Sequence, residues 1–218
     1  MAARDSAYDK ILASAAKLFA TKGYAGTTTR MIVADAGSSL SAIQTHFGSK
    51  EGIYYAVMKN TADIFFELND SYLREINEID RQGLLDREMA WNQIVMLLGH
   101  TIDWVFDPKY KYEILLVNQA LLGLGAENVE IPEEIFKLYQ YFERLFRAYT
   151  GDDDSDWPVK LAFFTITTVF DAGNYTAILN RMLDKNLETE EGLLAMKLNL
   201  KSYTMTNLRV NLDLRCKE

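Results

Sequence analysis

The chain has 218 residues, 49% of them hydrophobic and 12% aromatic, enough to pack a core without covalent staples. Its lone cysteine, Cys216, excludes an internal disulfide or a cysteine metal cluster and points to a reducing, cytoplasmic setting. The formal net charge of −8 argues, taken alone, against nucleic acid as a partner, because that affinity comes from cations set against phosphates.

The average hides an asymmetry. Residues 1–59 hold seven Lys and Arg against four Asp and Glu, while the rest hold sixteen against twenty-seven, a basic head on an acidic body. The opening "MAARDSAYDK" is charged where a signal peptide needs an apolar core, and no apolar run nears the roughly 18 residues that span a bilayer. No membrane partner is expected.

In chain order the periodicity is helical nearly throughout. Ile11, Ala15, Leu18 and Phe19 share one face of a first helix that Gly23 ends. Short helices follow at 28–36 and 40–47, split by Gly37. Ser49 caps a long helix running from 50 towards 80. Further helices are predicted at 87–106, 110–123, 133–150, 157–183 and 189–213. "FFTITTVF" is rich in β-branched residues, but its continuation makes it too long for a strand. The fold class is all-α with about nine helices, divided into residues 1–50 and residues 51–218.

The two short helices and their tight turn match a helix-turn-helix unit, whose second helix lies in the DNA major groove. Thr27 or Thr28 can cap the earlier helix and offer a hydroxyl and backbone amides to a phosphate. Ile32, Ala36, Ile43 and Phe47 face inward, and Ser39 caps the later helix. The opposite face is Leu40, Ser41, Gln44 and Thr45, suited to base edges and methyl groups. Lys50 stands beside a helix N-terminus, placed for a phosphate. From Thr27 up to Glu51, Asp35 is the only acid, as a surface facing DNA requires. On spacing alone, a helical corner with solvated polar residues competes with this reading.

The wider pattern separates them. Residues 11–57, "ILASAAKLFATKGYAGTTTRMIVADAGSSLSAIQTHFGSKEGIYYAV", closely resemble the DNA-binding domain of the tetracycline-repressor (TetR) family of bacterial transcription regulators. The shared elements are "AAKLF", "KGY", the threonine run, "AG" before a serine, an aliphatic residue at 43, "HF" and "SKE". The resemblance implies phosphate contacts from Tyr24, Thr27, Thr28, Lys50 and His46, and contacts to bases or nearby backbone from Arg30, Leu40, Ser41, Ala42 and Gln44. Ser38, Ser41 and Gln44 depart from the family's usual Val, Gly and Tyr, so base preference does not carry over. His46 also admits a buried packing role.

In the body, residues 157–183 are apolar around most of their circumference, which asks for burial on two sides. With the last helix they suggest a homodimer closed by a four-helix bundle, the pair the resemblance also implies. Thr165, Thr168, Asp171 and Asn174 recur every third residue as a polar stripe. Either the threonines bond back to their own helix and Asp171 pairs across the interface, or the stripe lines a ligand cavity. Trp91, His100, Asp103, Trp104 and Asn118 are candidates for an aromatic-walled site holding a small organic effector. With two histidines in the chain, a histidine-rich metal site and a metal cofactor are not expected.

The expected function is a dimeric regulator, usually a repressor, that binds a palindromic double-stranded operator and is released by a small apolar or aromatic ligand. One alternative is a DNA-binding relative answering to a partner protein or to nothing. Another is an all-α enzyme using His100 and Asp103, for which no nucleophile, phosphate-loop or metal motif speaks, so the expectation is that the chain is not an enzyme.

Overall fold

The computed structural model describes residues 6–174, 180–182 and 189–216, with Asn174 described through its backbone only. It is all-helical, with no strand among the described residues. The bounded helices are α1 (Ala7–Gly26), α2 (Thr29–Ala36), α3 (Leu40–His46), α4 (Lys50–Leu68), α5 (Asp70–Arg81), α6 (Arg87–Val105), α7 (Lys111–Leu121), α8 (Glu133–Thr150), α9 (Trp157–Asn174) and α10 (Glu190–Arg215). A 3-10 turn, Pro108–Tyr110, precedes α7. None of these helices is long and apolar enough to cross a membrane.

The count exceeds the expected nine chiefly because the helix expected from 50 to 80 is two helices. The break is at Asn69, where φ −112° and ψ 10° leave the helical region. Asn69 is buried, and its side-chain amide donates to the Phe65 carbonyl at 2.8 Å. A side chain competing for backbone acceptors in this way bends a helix without needing glycine or proline. The expected helix 157–183 is seen as α9 up to Asn174; residues 175–179 and 183 lie outside the described residues.

The chain forms two compact units. One comprises Met1–Ile64 and Tyr110–Ile135, the other Phe65–Lys109 and Phe136–Glu218. In the first, α1 packs against α2, α3 and α7. Ile11, Ala15 and Phe19, spaced by one helical turn, are completely buried on that face. At about 1.5–3 kcal/mol for each large apolar side chain removed from water, this stripe is a main source of the unit's stability. Gly23, at φ 73° and ψ 165°, stops the regular helix, a conformation that only glycine adopts without strain.

In the second unit α5 is strongly amphipathic, burying Tyr72, Leu73 and Ile76 while Arg74 and Arg81 pair with Asp70 and Glu78 on the exposed side. The centre of α6 is a near-continuous buried run containing Ile94, Leu97, Leu98 and Ile102. Helices α6 and α10 run antiparallel in a register that polar contacts mark along its length. Arg87 meets Asp213 at 2.7 Å, and the Arg209 guanidinium lies 4.7 Å from the Trp91 ring centre. Further on, Lys201 lies over Gly99 and Lys197 meets Asp103 at 3.0 Å. Each step along α6 is matched by an equal step back along α10.

Candidate nucleic-acid interface

The helix-turn-helix is built by its caps. The Thr28 hydroxyl accepts from the Met31 amide at 3.2 Å and starts α2. Gly37 ends it in the left-handed region, φ 59° and ψ 39°, which lets the chain reverse within three residues. The Ser39 hydroxyl accepts from the Ala42 amide and starts α3, and the Ser49 hydroxyl accepts from the Gly52 amide at the head of α4. Ile32 and Ile43 are buried where the sequence places them, while Ala36 and Phe47 are half-buried. Phe47 stacks on Tyr8 at 4.8 Å, a partner from the start of α1 that sequence spacing did not reveal.

Leu40, Ser41, Gln44, Thr45 and His46 all face solvent on α3, with Ala42 half-buried beside them. His46 is therefore not a core residue; its ring sits edge-on to Tyr8, 5.8 Å away. The Ser41 hydroxyl is 2.8 Å from that of the capping Ser39. Arg30 is exposed on α2. The one acid in the segment, Asp35, is paired with Lys17 at 3.0 Å, and that hydrogen bond pulls its carboxyl below the ordinary value.

Three expected phosphate contacts are placed differently. Thr27 is fully buried, and its hydroxyl donates to the carbonyls of Leu18 and Gly23 at 3.1 and 2.9 Å, so it orders the α1–α2 turn from within. Tyr24 is half-buried and donates its hydroxyl to Glu51 at 2.6 Å. Burial first, and that bond second, raise its pKa, while the same bond lowers that of Glu51. The Lys50 ammonium donates to the carbonyls of Tyr24 and Thr27, each at 2.9 Å, and lies 3.9 Å over the Tyr24 ring. Burial and remote partners of this kind leave no local signature in sequence.

The candidate ligand residues divide. Trp104 is buried against Phe65 and Phe170, and its indole nitrogen has no hydrogen-bond partner. His100 packs edge-on to Tyr72 at 4.7 Å with Nδ1 also buried and unpartnered. Burial lowers its pKa from the ordinary value, opposed by Asp103 and reinforced by Lys201. Gln93, missed in the sequence, adds a buried, unpartnered Oε1 seven residues before His100 on the same face of α6. Its spacing from His100 and Trp104 was the signal that could have found it.

Asp103 instead faces Lys197 beside an open groove of about 660 Å³ that Phe106, Leu193 and Leu194 help to line. It makes no hydrogen bond to His100, and the acid/base pair considered for an enzyme does not assemble. Trp91 lies under Arg209. Asn118 is buried in α7, in the other unit. Thr165 and Thr168 donate to the carbonyls of Leu161 and Phe164, both at 2.7 Å, the self-bonding alternative for the stripe. Asp171 is half-buried and engaged with its surroundings, and the Asn174 side chain lies outside the described residues.

Comparison with known proteins agrees with this geometry. Residues 11–57 match the family described as bacterial regulatory proteins, tetR family. Over 153 residues, 70% of this chain and 68% of the relative, the chain is 28% identical to the HTH-type transcriptional dual regulator CecR of Shigella flexneri. Among solved structures, a tetR-family regulatory protein from Rhodococcus RHA1 superposes with a TM-score of 0.63 over 93% of this chain and 96% of its own, at 18% identity. AibR in complex with isovaleryl coenzyme A and operator DNA gives 0.59 over 78% and 86%, at 22% identity. At those identities the structural likeness speaks for the fold. Residues 11–57 thus match the DNA-binding head of the tetR family, and the chain shares its all-helical fold with tetR-family regulators of known structure.

Proposed function

We propose that the protein is a homodimeric repressor that acts in the cytoplasm, reads a palindromic operator with α3 and releases it on binding a small apolar or aromatic ligand. The observation that carries the DNA reading is the capped, solvent-facing α3 on a segment whose one acid is neutralised by Lys17. In this reading residues 1–50 bind DNA and residues 51–218 dimerise and sense the effector. Leu40, Ser41, Ala42, Gln44 and Thr45 approach bases; Thr28, Arg30 and His46 hold phosphates.

Dimerisation is supported by apolar faces of the second unit. Val159, Phe163 and Phe164 on α9 and Leu194, Leu198 and Tyr203 on α10 are exposed, and these two helices pack on each other. Exposed apolar side chains grouped on two packed helices support a partner at this face. A twofold pair of heads about 34 Å apart meets consecutive major grooves.

Ligand response is supported by Gln93, His100 and Trp104. Each has a buried polar atom without a protein partner on one apolar face of α6, and buried polar groups normally have partners. AibR, solved with a coenzyme A thioester and operator DNA, is a precedent for both ligands in one fold. The ligand must bind the DNA-incompetent state more tightly.

The test is selection from a random duplex library followed by sequencing. Two inverted half-sites with centres about 10 base pairs apart are expected. A single unrepeated half-site, or no enrichment, contradicts the dimeric reading.

A further inference from the structure

Cations line the contact between α6 and α10, and all but one have a counter-charge. Arg87 and Arg209 share Asp213, and Lys197 has Asp103. Lys201 makes no ion pair or hydrogen bond among the described residues. Its side chain is nonetheless half-buried, and a Cβ on the buried Gly99 would stand 3.1 Å from its Nζ. The missing side chain at Gly99 is what admits the ammonium so close to α6. The next residue, His100, feels the charge: burial lowers its pKa first, Asp103 opposes, and Lys201 lowers it further. A cation drawn partly out of water without a counter-charge costs the fold free energy.

The same place holds unsatisfied donors. Thr204, only 5% exposed, lies one turn from Lys201 on the face of α10 that also carries Lys197, Leu208 and Leu212. Its hydroxyl is buried without a partner. Thr61, Thr101, Thr165 and Thr206 each donate to the carbonyl four residues back, and Thr204 does not. His100 Nδ1 and, one turn further along α6, the indole nitrogen of Trp104 are buried and unpartnered too. An ammonium and an indole can only donate, and a hydroxyl and a neutral imidazole can do so. Asp103, the acid that acts on His100, is already claimed by Lys197.

We propose that Lys201, Thr204 and His100 bind the carboxylate of a small organic acid whose apolar body lies against Trp104 and its neighbours Phe65 and Phe170. The proposal rests on the ligand-response reading above and deepens it: the apolar or aromatic effector gains one negative charge. A carboxylate accepts from all three groups and gives the ammonium its missing counter-charge. Such charge-assisted hydrogen bonds are about twice as strong as neutral ones. A neutral ligand of the same shape would leave Lys201 unpaired, so the site discriminates by charge as well as by shape.

The test is isothermal titration of the full chain with octanoate and phenylacetate and with the matching primary amides. At least one acid is expected to bind about tenfold or more tightly than its amide, as for hydrogen bonds to a charged group. Lys201→Met is expected to bring that acid down to the affinity of the amide. Thr204→Val keeps the shape and removes a hydroxyl that has no partner, so it is expected to fold at least as stably as wild type and to weaken the acid severalfold. It therefore decides the matter if Lys201→Met does not fold. Amides that bind as tightly as acids, no binding by either class, or a variant that keeps the wild-type preference overturns the proposal. If Lys201→Met binds the acid normally but loses dimerisation in sedimentation, the counter-charge comes from a second copy of the chain and the proposal also falls. Anisotropy on the selected operator duplex judges the wider reading separately. An acid that binds through Lys201 without weakening DNA binding removes the effector response and leaves the site, whereas amides that release DNA keep the response and remove the site.

Discussion

Lys17 of α1 and Asp35 of α2 form an ion pair at 3.0 Å, and Asp35 is the one carboxylate between residues 27 and 50. Both side chains are partly exposed, so the pair adds little to stability. Its effect is on the field in front of the helix-turn-helix. Lys17→Ala is expected to leave the melting temperature nearly unchanged and to weaken DNA binding severalfold at low salt. Adding Asp35→Asn is expected to restore affinity. Anisotropy titrations of the single and double variants check this, and a double variant no better than the single contradicts it.

In the proposed reading Arg30 of α2 anchors and Gln44 of α3 reads. Arg30 is exposed and in this account serves a phosphate, so Arg30→Ala weakens binding to all sequences alike. Gln44 is exposed on α3, and an amide of this kind can pair in bidentate fashion with adenine. Gln44→Ala is expected to relax preference at one base position by about 1–3 kcal/mol. Binding-site selection with each variant separates the two effects, and a uniform loss from Gln44→Ala counts against base reading.

The α3 cap is a stability prediction. Ser39 satisfies the Ala42 amide of a seven-residue helix that has few other local supports. Ser39→Ala is expected to cost about 1 kcal/mol in urea unfolding, the usual cost of losing such a cap. Ser39→Asn, which can cap equally well, is expected to be near neutral.

His100 makes stability depend on pH. Burial holds its pKa below the ordinary 6.5 in the folded chain, so between the folded value and 6.5 the unfolded chain binds more protons. Its contribution is complete above about pH 6.5 and is lost as pH falls towards the folded value. Asp103 opposes the shift and Lys201 reinforces it. Melting temperatures between about pH 7.5 and 5 should fall more steeply for wild type than for His100→Gln. Parallel curves contradict the assignment.

Much of the head was legible because its signals are local. Thr28, Gly37, Ser39 and Ser49 act within three residues of themselves, so residue type and spacing disclose them. The solvent-facing residues of α3 follow from the same periodicity that buries Ile43. Thr27 was not legible, because the carbonyls that claim its hydroxyl, on Leu18 and Gly23, come within reach only once α1 has stopped at Gly23. The carbonyl partners of Lys50, which was read as placed for a phosphate, were hidden for a similar reason, since they lie 26 and 23 residues away in sequence.

In the body, the all-α class and the apolar character of α9 were visible, but Asn69 gave no warning of a break, asparagine being ordinary in a helix until its amide turns back on Phe65. Which candidates share a face of α6 was calculable from spacing, and Gln93 belongs with His100 and Trp104 on that ground. That Asp103 would turn away to Lys197 depended on the antiparallel register of α10, set by contacts far along the chain.

Amide hydrogen exchange of the full chain, with and without its selected operator duplex, tests the central claim most directly. The account predicts slowed exchange at 28–31 and 39–46 when DNA is bound, reversed by raised salt. Protection confined to α9 and α10, with the head exchanging as freely as in the unbound chain, would contradict it.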